Sequence, residues 1–470
     1  MKTLIDPGNA LGTGLAAIRT QYQVPAAFPD AVLAAASLAA KRQPTEHQDR
    51  TDRPFVTLDP ASSTDLDQAF SIEASGADLL LHYAIADVDW FVRDGDVIDA
   101  EAWRRGTTQY LPDGKAGLYP PSLSEAAASL LPDGPRPAVV FTVRVAPDDG
   151  VRLDGVERAI IRSRAKLAYD QVRDGDLPAG FAELSARIAD AEKRRGAARV
   201  DPPEQEVARI DHGQYQLLFR PRLASEDRNA ALSLATNMAV ADALLAHKTG
   251  LFRVMAVPDE RAVNRLRHTA NAYGVSFPAG MSLADLAPTL NASDPKQAAL
   301  MLAIRRVGKG AAYTPYKPGE TPWHSAIAAS YAHATAPLRR LADRYVVRAA
   351  LAIANGQAVP DEVSAAFAKL PEVMARANAQ GSQIERAVVD LAEAVLLQGH
   401  EGQAFKAVVT DCDERGARVQ LTDWPVVTRV DAGIAVPGDT IQLALVAADP
   451  AQRMVSFRMV AGDGAGVAGV

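Results

Sequence analysis

The amino-acid sequence predicts an α+β protein, with a mixed sheet covered by helices and a small all-β barrel at the C-terminus. Three observations favour this class. Strand-like apolar runs dominate residues 55–145, and helix-like periodicity dominates after residue 201. Short strand-like runs, roughly ten residues apart, return after residue 405. The sheet is therefore expected to form early in the chain and to be covered by later helices.

Composition indicates an ordinary globular protein of several domains. The chain has 470 residues, of which 48% are hydrophobic and 23% are charged. A net charge of -7 argues against a uniformly basic surface but is compatible with a confined basic channel. The single cysteine, Cys412, excludes an internal disulfide and any zinc site with several cysteines. Because we find neither a long apolar run nor a signal-peptide core, we expect a cytoplasmic protein without a membrane partner.

The first 145 residues combine a helical lead-in with strands. Residues 1–50 form the expected lead-in, in which an Ala-rich segment at 28–42 predicts a helix with Pro29 near its start. Apolar runs predict strands at 55–58, 69–72, 79–88 and 139–145. Between them, Ser122 and Glu125 have the spacing of a capping box, which predicts an amphipathic helix at 122–131.

The rest of the chain divides into a helical part and a β-rich end. Periodicity predicts helices at 225–247, 259–273 and 336–354. Strands are predicted at 407–409, 418–421, 440–443 and 454–457. We therefore expect a main domain at 51–398, a barrel at 399–463 and a loose tail at 464–470.

Three aspartates follow the first predicted strand. Asp59 ends that strand, and Asp65 and Asp67 lie two residues apart, so that in an extended chain both side chains point the same way. Converging carboxylates repel one another unless a cation lies between them, and Mg²⁺ prefers oxygen ligands. The segment thus suits metal-assisted phosphodiester hydrolysis. The alternative is that Asp, Pro, Ser and Thr simply form a turn here.

A second segment, at 331–343, predicts a phosphate-binding site. If Thr335 caps the helix and Pro337 lies in its first turn, Arg339 and Arg340 are close to a helix N-terminus, where anions are favoured. Two guanidinium groups at that position would bind phosphate well. The alternative is an i, i+4 ion pair between Arg339 and Asp343 on a solvated helix face.

Several separated segments together resemble a known family. The run at 55–70, the run at 82–88 and the run at 105–112 are similar, in that order, to the RNB domain of ribonuclease II and ribonuclease R. The resemblance extends over about residues 20–395. It implies an RNB catalytic domain at 51–398 with an internal RNA channel.

The resemblance also implies an activity. It indicates a hydrolytic exoribonuclease that degrades single-stranded RNA from the 3′ end to 5′-mononucleotides, with Mg²⁺ as cofactor and Mn²⁺ as a substitute. The alternative is an RNA-binding protein with an RNB-like channel and little or no catalysis. This alternative is motivated by Gln68, which stands where the family usually carries an aspartate, and by an N-terminal flank too short for the family's cold-shock domains.

The resemblance assigns roles to individual residues. The metal ligands would be Asp59, Asp65 and Asp67, with Gln68 ligating through its amide oxygen. Arg339 would contact the scissile phosphate and stabilise the developing charge, and we expect Arg340 to act with it. Three further residues are expected to contact RNA or lie near it: Tyr110, Tyr169 and Glu385.

The flanking segments complete the expectation. The C-terminal barrel resembles the OB-type RNA-binding domain repeated in ribosomal protein S-one. A Gly-x-Gly-x-x-Ala pattern begins at Gly12, but no strong strand precedes it and no βαβ unit follows, so no dinucleotide cofactor is expected. We expect a monomer whose partner is single-stranded RNA.

Overall fold

The computed structural model describes residues 2–460 with the exception of residues 7, 149, 211–213, 309, 414, 432 and 434. The predicted tail at 464–470 lies outside the described residues.

The strands are, in chain order, β1 (Lys2–Thr3), β2 (Gln48–Asp49), β3 (Phe55–Asp59), β4 (Gln68–Ser75), β5 (Asp78–Ala86), β6 (Gln109–Leu111), β7 (Gly114–Ala116), β8 (Arg136–Val145), β9 (Val151–Ile161), β10 (Ser163–Ala168), β11 (Glu204–Arg209), β12 (Tyr215–Arg220), β13 (Leu251–Val254), β14 (Ala312–Pro315), β15 (Ala404–Asp413), β16 (Gly416–Leu421), β17 (Val427–Val430), β18 (Thr440–Asp449) and β19 (Met454–Met459).

The α-helices are α1 (Ala10–Gln21), α2 (Asp30–Ala39), α3 (Val88–Phe91), α4 (Val97–Arg105), α5 (Phe181–Arg195), α6 (Ala224–Ala246), α7 (Glu260–Ala272), α8 (Leu283–Leu286), α9 (Pro295–Val307), α10 (Leu341–Ala354) and α11 (Asp361–Leu397). Short 3-10 turns occupy Asp174–Asp176 and Ala287–Thr289, and a π-helical turn occupies Leu123–Ala127.

The central sheet has the strand order β10-β3-β4-β5-β8-β9-β2. Strands β3, β4, β5, β8 and β9 are antiparallel neighbours, whereas β10 and β2 pair in parallel at the two edges. The sheet is therefore mixed, as predicted. Its apolar side chains, among them Phe55, Leu81 and Phe141, are fully buried, and α6 and α10 pack against it. The predicted strands at 55–58, 69–72, 79–88 and 139–145 are confirmed as β3, β4, β5 and β8.

The C-terminal residues form a five-stranded barrel with the order β17-β16-β15-β18-β19. The four predicted strands are confirmed, and β17 completes the set. Strands β17 and β19 approach each other, so the barrel is nearly closed. Its core contains Phe405, Val419 and Leu443, and it packs on α11. The fold class predicted from the sequence is thus confirmed in both parts.

The lead-in is helical, as predicted, and packs on the rest of the chain. Helix α1 lies against α11 so closely that a Cβ atom on Gly14 would fall 2.5 Å from the Leu391 side chain. The glycines of the Gly-x-Gly-x-x-Ala pattern are therefore inside a helix, where Gly14 permits close helix packing. Residues Lys2 and Thr3 add a short strand to β12.

The helix predicted at 122–131 is shorter in the structure, and its capping box is wrong. Residues 121–127 are helical, with a π-helical turn at Leu123–Ala127, and Ser122 makes no side-chain cap hydrogen bond. Ser122 has helical backbone angles (φ -59°, ψ -21°), whereas a capping residue needs an extended conformation. The Glu125 carboxylate instead accepts a hydrogen bond from Thr64 (3.0 Å), which lies in the loop at 60–67 that carries Asp65 and Asp67, hereafter called the acidic loop.

Helix α6 is long and apolar enough to cross a membrane by length and composition alone. However, 61% of its apolar window is buried inside the protein. A core helix passes the same test, and in this fold α6 packs on α5, α10 and the central sheet.

A buried arginine joins α10 to the segment between β5 and β6. Arg344 is 1% exposed and pairs with Asp99 (2.6 Å), Asp89 and Asp94 (both 3.2 Å). It also donates to the Val92 carbonyl (2.8 Å). Its partners are spread over α3, α4 and the loop between them, so the ion pairs fix the position of α10. This helix directly follows the segment at 331–340 that carries Arg339 and Arg340, hereafter called the arginine motif.

We predict that Arg344→Met lowers the free energy of unfolding by about 3 kcal/mol, because it leaves buried Asp99 without its cation. Arg348→Met is the matched control, since Arg348 shares Asp89 and Asp94 but has a more exposed side chain; its cost should stay below about 1 kcal/mol. Urea unfolding measures both. Equal losses in the two variants would contradict the assignment.

Candidate active site

The acidic loop connects two neighbouring strands and is fixed by a serine. Asp59 is the last residue of β3, and β4 starts directly after Asp67. Ser129 accepts from the Leu66 backbone N–H (2.9 Å) and donates to the Thr64 carbonyl (2.7 Å). Leu66 is fully buried. Because the residue between Asp65 and Asp67 is anchored in the core, the positions of both carboxylates are set by the fold.

Asp67 meets the arginine motif directly. Its Oδ1 atom accepts from the Leu338 backbone N–H (2.7 Å), and its Oδ2 atom lies 3.2 Å from Nε of Arg339. Asp67 is 5% exposed, whereas the Arg339 side chain is 45% exposed. The structure thus brings together two predicted site residues that are more than 270 positions apart in the sequence.

The predicted helix at 336–354 begins five residues late, at Leu341. Backbone hydrogen bonds join residues 106–108 to residues 339–341, directly before the helix begins. Thr108 N–H donates to the Arg339 carbonyl (3.0 Å), and Leu341 N–H donates to the Gly106 carbonyl (3.0 Å). These bonds hold the chain out of helical geometry. The expectations that Thr335 caps the helix and that Pro337 lies in its first turn are therefore wrong.

The two arginines of the motif have different partners. Arg340 makes a bidentate pair with Asp343, through Nε (2.9 Å) and Nη2 (2.6 Å). The alternative pairing of Arg339 with Asp343 is wrong, because Arg339 turns to Asp67 instead. The catalytic role of Arg340 stays a prediction, and its pairing with a fully buried carboxylate favours a structural contribution.

Burial raises the pKa values of two of the three aspartates. The pKa of Asp59 rises to about 7, with Arg339 and Lys166 offsetting part of the effect. The pKa of Asp67 also rises to about 7 through burial, offset in part by Arg339 and by the hydrogen bond from Leu338. Two carboxyl groups are thus held where ionisation is costly without a neighbouring cation.

The aspartates fit a divalent cation by chemistry, although they are not arranged as a ready cluster. Among the described residues, no group of three or more His, Cys, Asp or Glu side chains could hold an ion together. Asp65 is occupied by Lys115 (2.7 Å) and by the Tyr110 hydroxyl (3.3 Å), and Asp67 by Arg339. The donors are all carboxylate oxygens, which Mg²⁺ and Mn²⁺ accept. A cation would bind by displacing side-chain cations of the protein.

We predict that divalent-cation binding weakens by at least about tenfold between pH 8 and pH 6, because Asp59 and Asp67 must lose protons to ligate. Calorimetric titration of Mn²⁺ at pH 6, 7 and 8 measures this. An affinity independent of pH over this range would contradict the raised pKa values.

The same pKa values fix the sign of a stability effect in the absence of metal. The folded-state pKa of Asp67 lies above the ordinary value of 3.8. Its contribution to stability is therefore present below about pH 4 and lost as the pH rises to about 7. Asp67→Asn should flatten this part of the pH profile relative to the unmodified protein.

Gln68 has both ends of its amide engaged. Its Nε2 atom donates to the Thr335 carbonyl (2.6 Å), and its Oε1 atom accepts from the Tyr83 hydroxyl (2.9 Å). Tyr83 also bonds Ser233 of α6 (2.7 Å). Metal ligation by Gln68 stays a prediction, and these contacts argue against it, because the amide oxygen would have to give up a buried hydroxyl.

A cavity of about 630 Å³ lies beside these residues. Its wall includes Gln68, Tyr169 and Arg339. The wall carries as many acidic residues as arginines, the arginines being Arg199, Arg220, Arg222, Arg305, Arg339 and Arg340 and the acids being Glu192, Asp201, Glu204, Glu206, Glu226 and Glu385. Most of these side chains pair with one another, for example Arg220 with Glu206 (2.7 Å). The expected basic channel is in fact lined by paired charges.

The predicted RNA-contacting residues lie at different depths. Tyr169 lines the cavity, and its backbone N–H donates to the Asp59 carbonyl (3.2 Å). Its hydroxyl accepts from Asn229 (2.9 Å), and burial raises its pKa to about 12. Tyr110 is 56% exposed beside Asp65. Glu385 lies on α11, in the wall shared with a second cavity of about 560 Å³ that faces the barrel. Their roles remain predictions.

Sequence reasoning missed the residues that position the site. Asn237 of α6 accepts from the Ala334 backbone N–H (2.8 Å) and donates to Tyr331 and Thr335 (3.0 and 3.3 Å), so it fixes the start of the arginine motif. Asn229 bonds Tyr169 and the Leu58 carbonyl. Two buried asparagines on an apolar helix are the signal that could have indicated this. Lys115 and Glu125 were missed as neighbours of Asp65.

Family models match two parts of the chain. Residues 47–355 match the RNB domain, and residues 403–460 match the RNase II-type exonuclease C-terminal S1 domain. Since the first match covers more than half of the sequence, the chain belongs to the RNB family.

Known proteins resemble the chain over most of its length. Ribonuclease R of Thermotoga maritima is 25% identical over 433 residues, which cover 85% of this chain and 60% of the relative. The structure of Mycoplasma genitalium RNase R in complex with ribose methylated single-stranded RNA has a TM-score of 0.83 at 20% identity, covering 96% of this chain and 78% of that one. The structure of yeast Ssd1, a pseudonuclease, has a TM-score of 0.66 at 15% identity, covering 87% and 52%. The chain spans about three fifths of the length of the first curated relatives it matches.

Proposed function

We propose that the protein is a Mg²⁺-dependent hydrolytic exoribonuclease that degrades single-stranded RNA from the 3′ end to 5′-mononucleotides. The observation that carries the proposal is the contact between Asp67 and Arg339 beside a second carboxyl group, Asp59, whose pKa is also raised by burial. A buried carboxylate next to an exposed guanidinium offers adjacent places for a cation and a phosphate.

Each residue of the site has a definite task in this proposal. Asp59, Asp65 and Asp67 would hold the cation once Lys115 and Arg339 have withdrawn, and the bound cation would polarise the phosphodiester and lower the pKa of a water molecule. Arg339 leaves Asp67 for the scissile phosphate and stabilises the charge that develops on it.

The aromatic residues orient the RNA. Tyr169 lines the cavity next to Asp59, where its ring would stack on the 3′-terminal base, and stacking of this kind tolerates any base. Tyr110 stands at the exposed side of Asp65. RNA would reach these residues through the cavity between α6, α11 and the β11–β12 hairpin, whose arginines can exchange carboxylate partners for phosphates.

Family membership and the names of the relatives support this function. Curated relatives carry the names Ribonuclease R and Exoribonuclease 2, and structures of M. genitalium RNase R contain single-stranded or double-stranded RNA.

A second candidate function is RNA binding with little or no catalysis. It is favoured by the Gln68 amide, which contributes no charge and is fully engaged by Thr335 and Tyr83. It is also favoured by the absence of a ready carboxylate cluster among the described residues. The chain also resembles yeast Ssd1, which is described as a pseudonuclease, and this similarity agrees with the second candidate function.

One experiment separates the two candidates. RNA of about 20 nucleotides, labelled at the 5′ end in one sample and at the 3′ end in another, is incubated with the protein and Mg²⁺. The proposed enzyme yields a ladder that shortens the 5′-labelled strand and releases labelled mononucleotide at once from the 3′-labelled strand. Immediate release of the 5′ label would overturn the polarity. Full-length RNA that is bound but uncut, with either Mg²⁺ or Mn²⁺, would establish the second candidate.

A further inference from the structure

A short hairpin brings a lysine to the acidic loop. Strands β6 and β7 pair Tyr110 with Lys115 as direct cross-strand neighbours, so both side chains lie on the same face. That face meets Asp65: Lys115 Nζ lies 2.7 Å from its Oδ1 atom, and the Tyr110 hydroxyl lies 3.3 Å from its Oδ2 atom. The hairpin therefore presents one cation and one hydroxyl donor to a single carboxylate.

A second carboxylate shares the lysine. Lys115 Nζ is 3.2 Å from Oε1 of Glu125, and the other oxygen of Glu125 accepts from Thr64 (3.0 Å), next to Asp65 in the loop. The ammonium group thus lies between two carboxylates. The three side chains are partly accessible, at 23% for Lys115, 11% for Asp65 and 29% for Glu125. Water can therefore take over the contacts of Lys115 when another cation replaces it.

We propose that Lys115 is a resident counter-ion that competes with the divalent cation for Asp65 and thereby sets the affinity of the site for metal. The inference rests on the proposed function only in so far as Asp65 is a metal ligand. The local charge of Lys115, Asp65 and Glu125 is one positive against two negative, or -1, and becomes -2 when the lysine is neutralised. A lysine on a flexible four-carbon stem can withdraw without any change in the backbone.

The test measures Mn²⁺ binding in the absence of RNA, by calorimetry at fixed pH and ionic strength. Lys115→Met should bind Mn²⁺ roughly tenfold more tightly than the unmodified protein, because one opposing charge within about 4 Å has been removed. Lys115→Arg keeps the charge and should remain within about threefold. Lys115→Met combined with Glu125→Gln restores the local charge of -1. Its affinity for Mn²⁺ should therefore be close to that of the unmodified protein.

Lys193→Met is the matched control, because it removes the same positive charge from an exposed position on α5. There Lys193 pairs with Asp190 at 3.4 Å. The control variant should leave Mn²⁺ binding unchanged. Circular dichroism of every variant establishes that the fold is retained, and Lys115→Gln replaces Lys115→Met if the latter fails to fold.

The outcomes distinguish this inference from the proposed function. If the unmodified protein binds Mn²⁺ but Lys115→Met binds it equally or more weakly, Lys115 is not a competitor and the inference alone is overturned. If neither protein binds Mn²⁺, the metal-dependent function fails and the inference fails with it. Tighter binding in the single variant that is reversed in the double variant supports the proposal.

Discussion

Asp67→Asn should lower the turnover of single-stranded RNA by roughly 10³-fold or more while RNA binding changes by less than about threefold. Asparagine keeps an oxygen for the Leu338 N–H but loses the charge that a cation and Arg339 require. The fold should survive, because the substitution removes a carboxyl group whose ionisation is already opposed by burial. Single-turnover cleavage and RNA binding in EDTA measure the two quantities separately.

Asp190→Asn is the matched control for this experiment. It removes one carboxylate from an exposed position on α5 and should leave turnover unchanged. Full activity of Asp67→Asn would disprove the assignment of the acidic loop. A parallel loss of cleavage and RNA binding would instead indicate that Asp67 maintains the shape of the cavity.

Arg339→Ala should reduce turnover by about 10³-fold, with a much smaller effect on RNA affinity. The side chain is 45% exposed, and within the described residues its guanidinium pairs with Asp67, so it can move onto a phosphate by breaking one ion pair. The Arg339 guanidinium would stabilise the transition state, in which negative charge develops on the phosphate. Its removal should therefore slow the chemical step. Single-turnover rates at saturating enzyme, together with dissociation constants for RNA, separate the effect on the rate from the effect on RNA affinity.

Arg222→Ala provides the comparison within the same cavity wall. In the part of the chain that the structure describes, Arg222 forms its ion pairs with Asp201 and Asp227, at 3.2 and 2.9 Å, rather than with the acidic loop. We expect its removal to weaken RNA binding modestly and to leave the single-turnover rate nearly intact. Equal losses of rate and affinity in Arg339→Ala would make Arg339 a docking residue. Lys in place of Arg339 should recover only part of the rate, since it lacks the planar fork.

The sequence was sufficient where local pattern and chemistry agree. The apolar runs around Phe55, Phe70 and Leu81 predicted strands that the structure contains, because buried strands carry their own signal. The sequence also indicates Asp67 and Arg339 as candidate site residues, and the structure places their side chains in contact.

The errors arose where distant backbone contacts override local preference. Thr335 and Pro337 have the pattern of a helix start, yet pairing with residues 106–108 delays α10 to Leu341. Ser122 and Glu125 have the spacing of a capping box, yet the glutamate is directed to Thr64 and Lys115. Thr64 lies 61 positions from Glu125, and Thr107 lies 232 positions from Arg339, so no short window of sequence contains either pair.

The same limit applies to the cavity. Its arginines suggest a basic surface when counted alone, but their acidic partners come from β11, α5 and α6. Only the packing of these elements shows that most of the charges are compensated. The electrostatic attraction of RNA to the cavity should therefore depend on exchange of partners as well as on net charge.

The bond from Leu338 to Asp67 spans 271 positions of the chain. During synthesis, the acidic loop emerges from the ribosome long before its partner segment, and contacts between residues so far apart in the chain form late. A nascent fragment that stops short of Leu338 therefore lacks both the backbone donor and the Arg339 guanidinium that contact Asp67. In the proposed nuclease, this order of assembly would keep the growing polypeptide from destroying the messenger that encodes it.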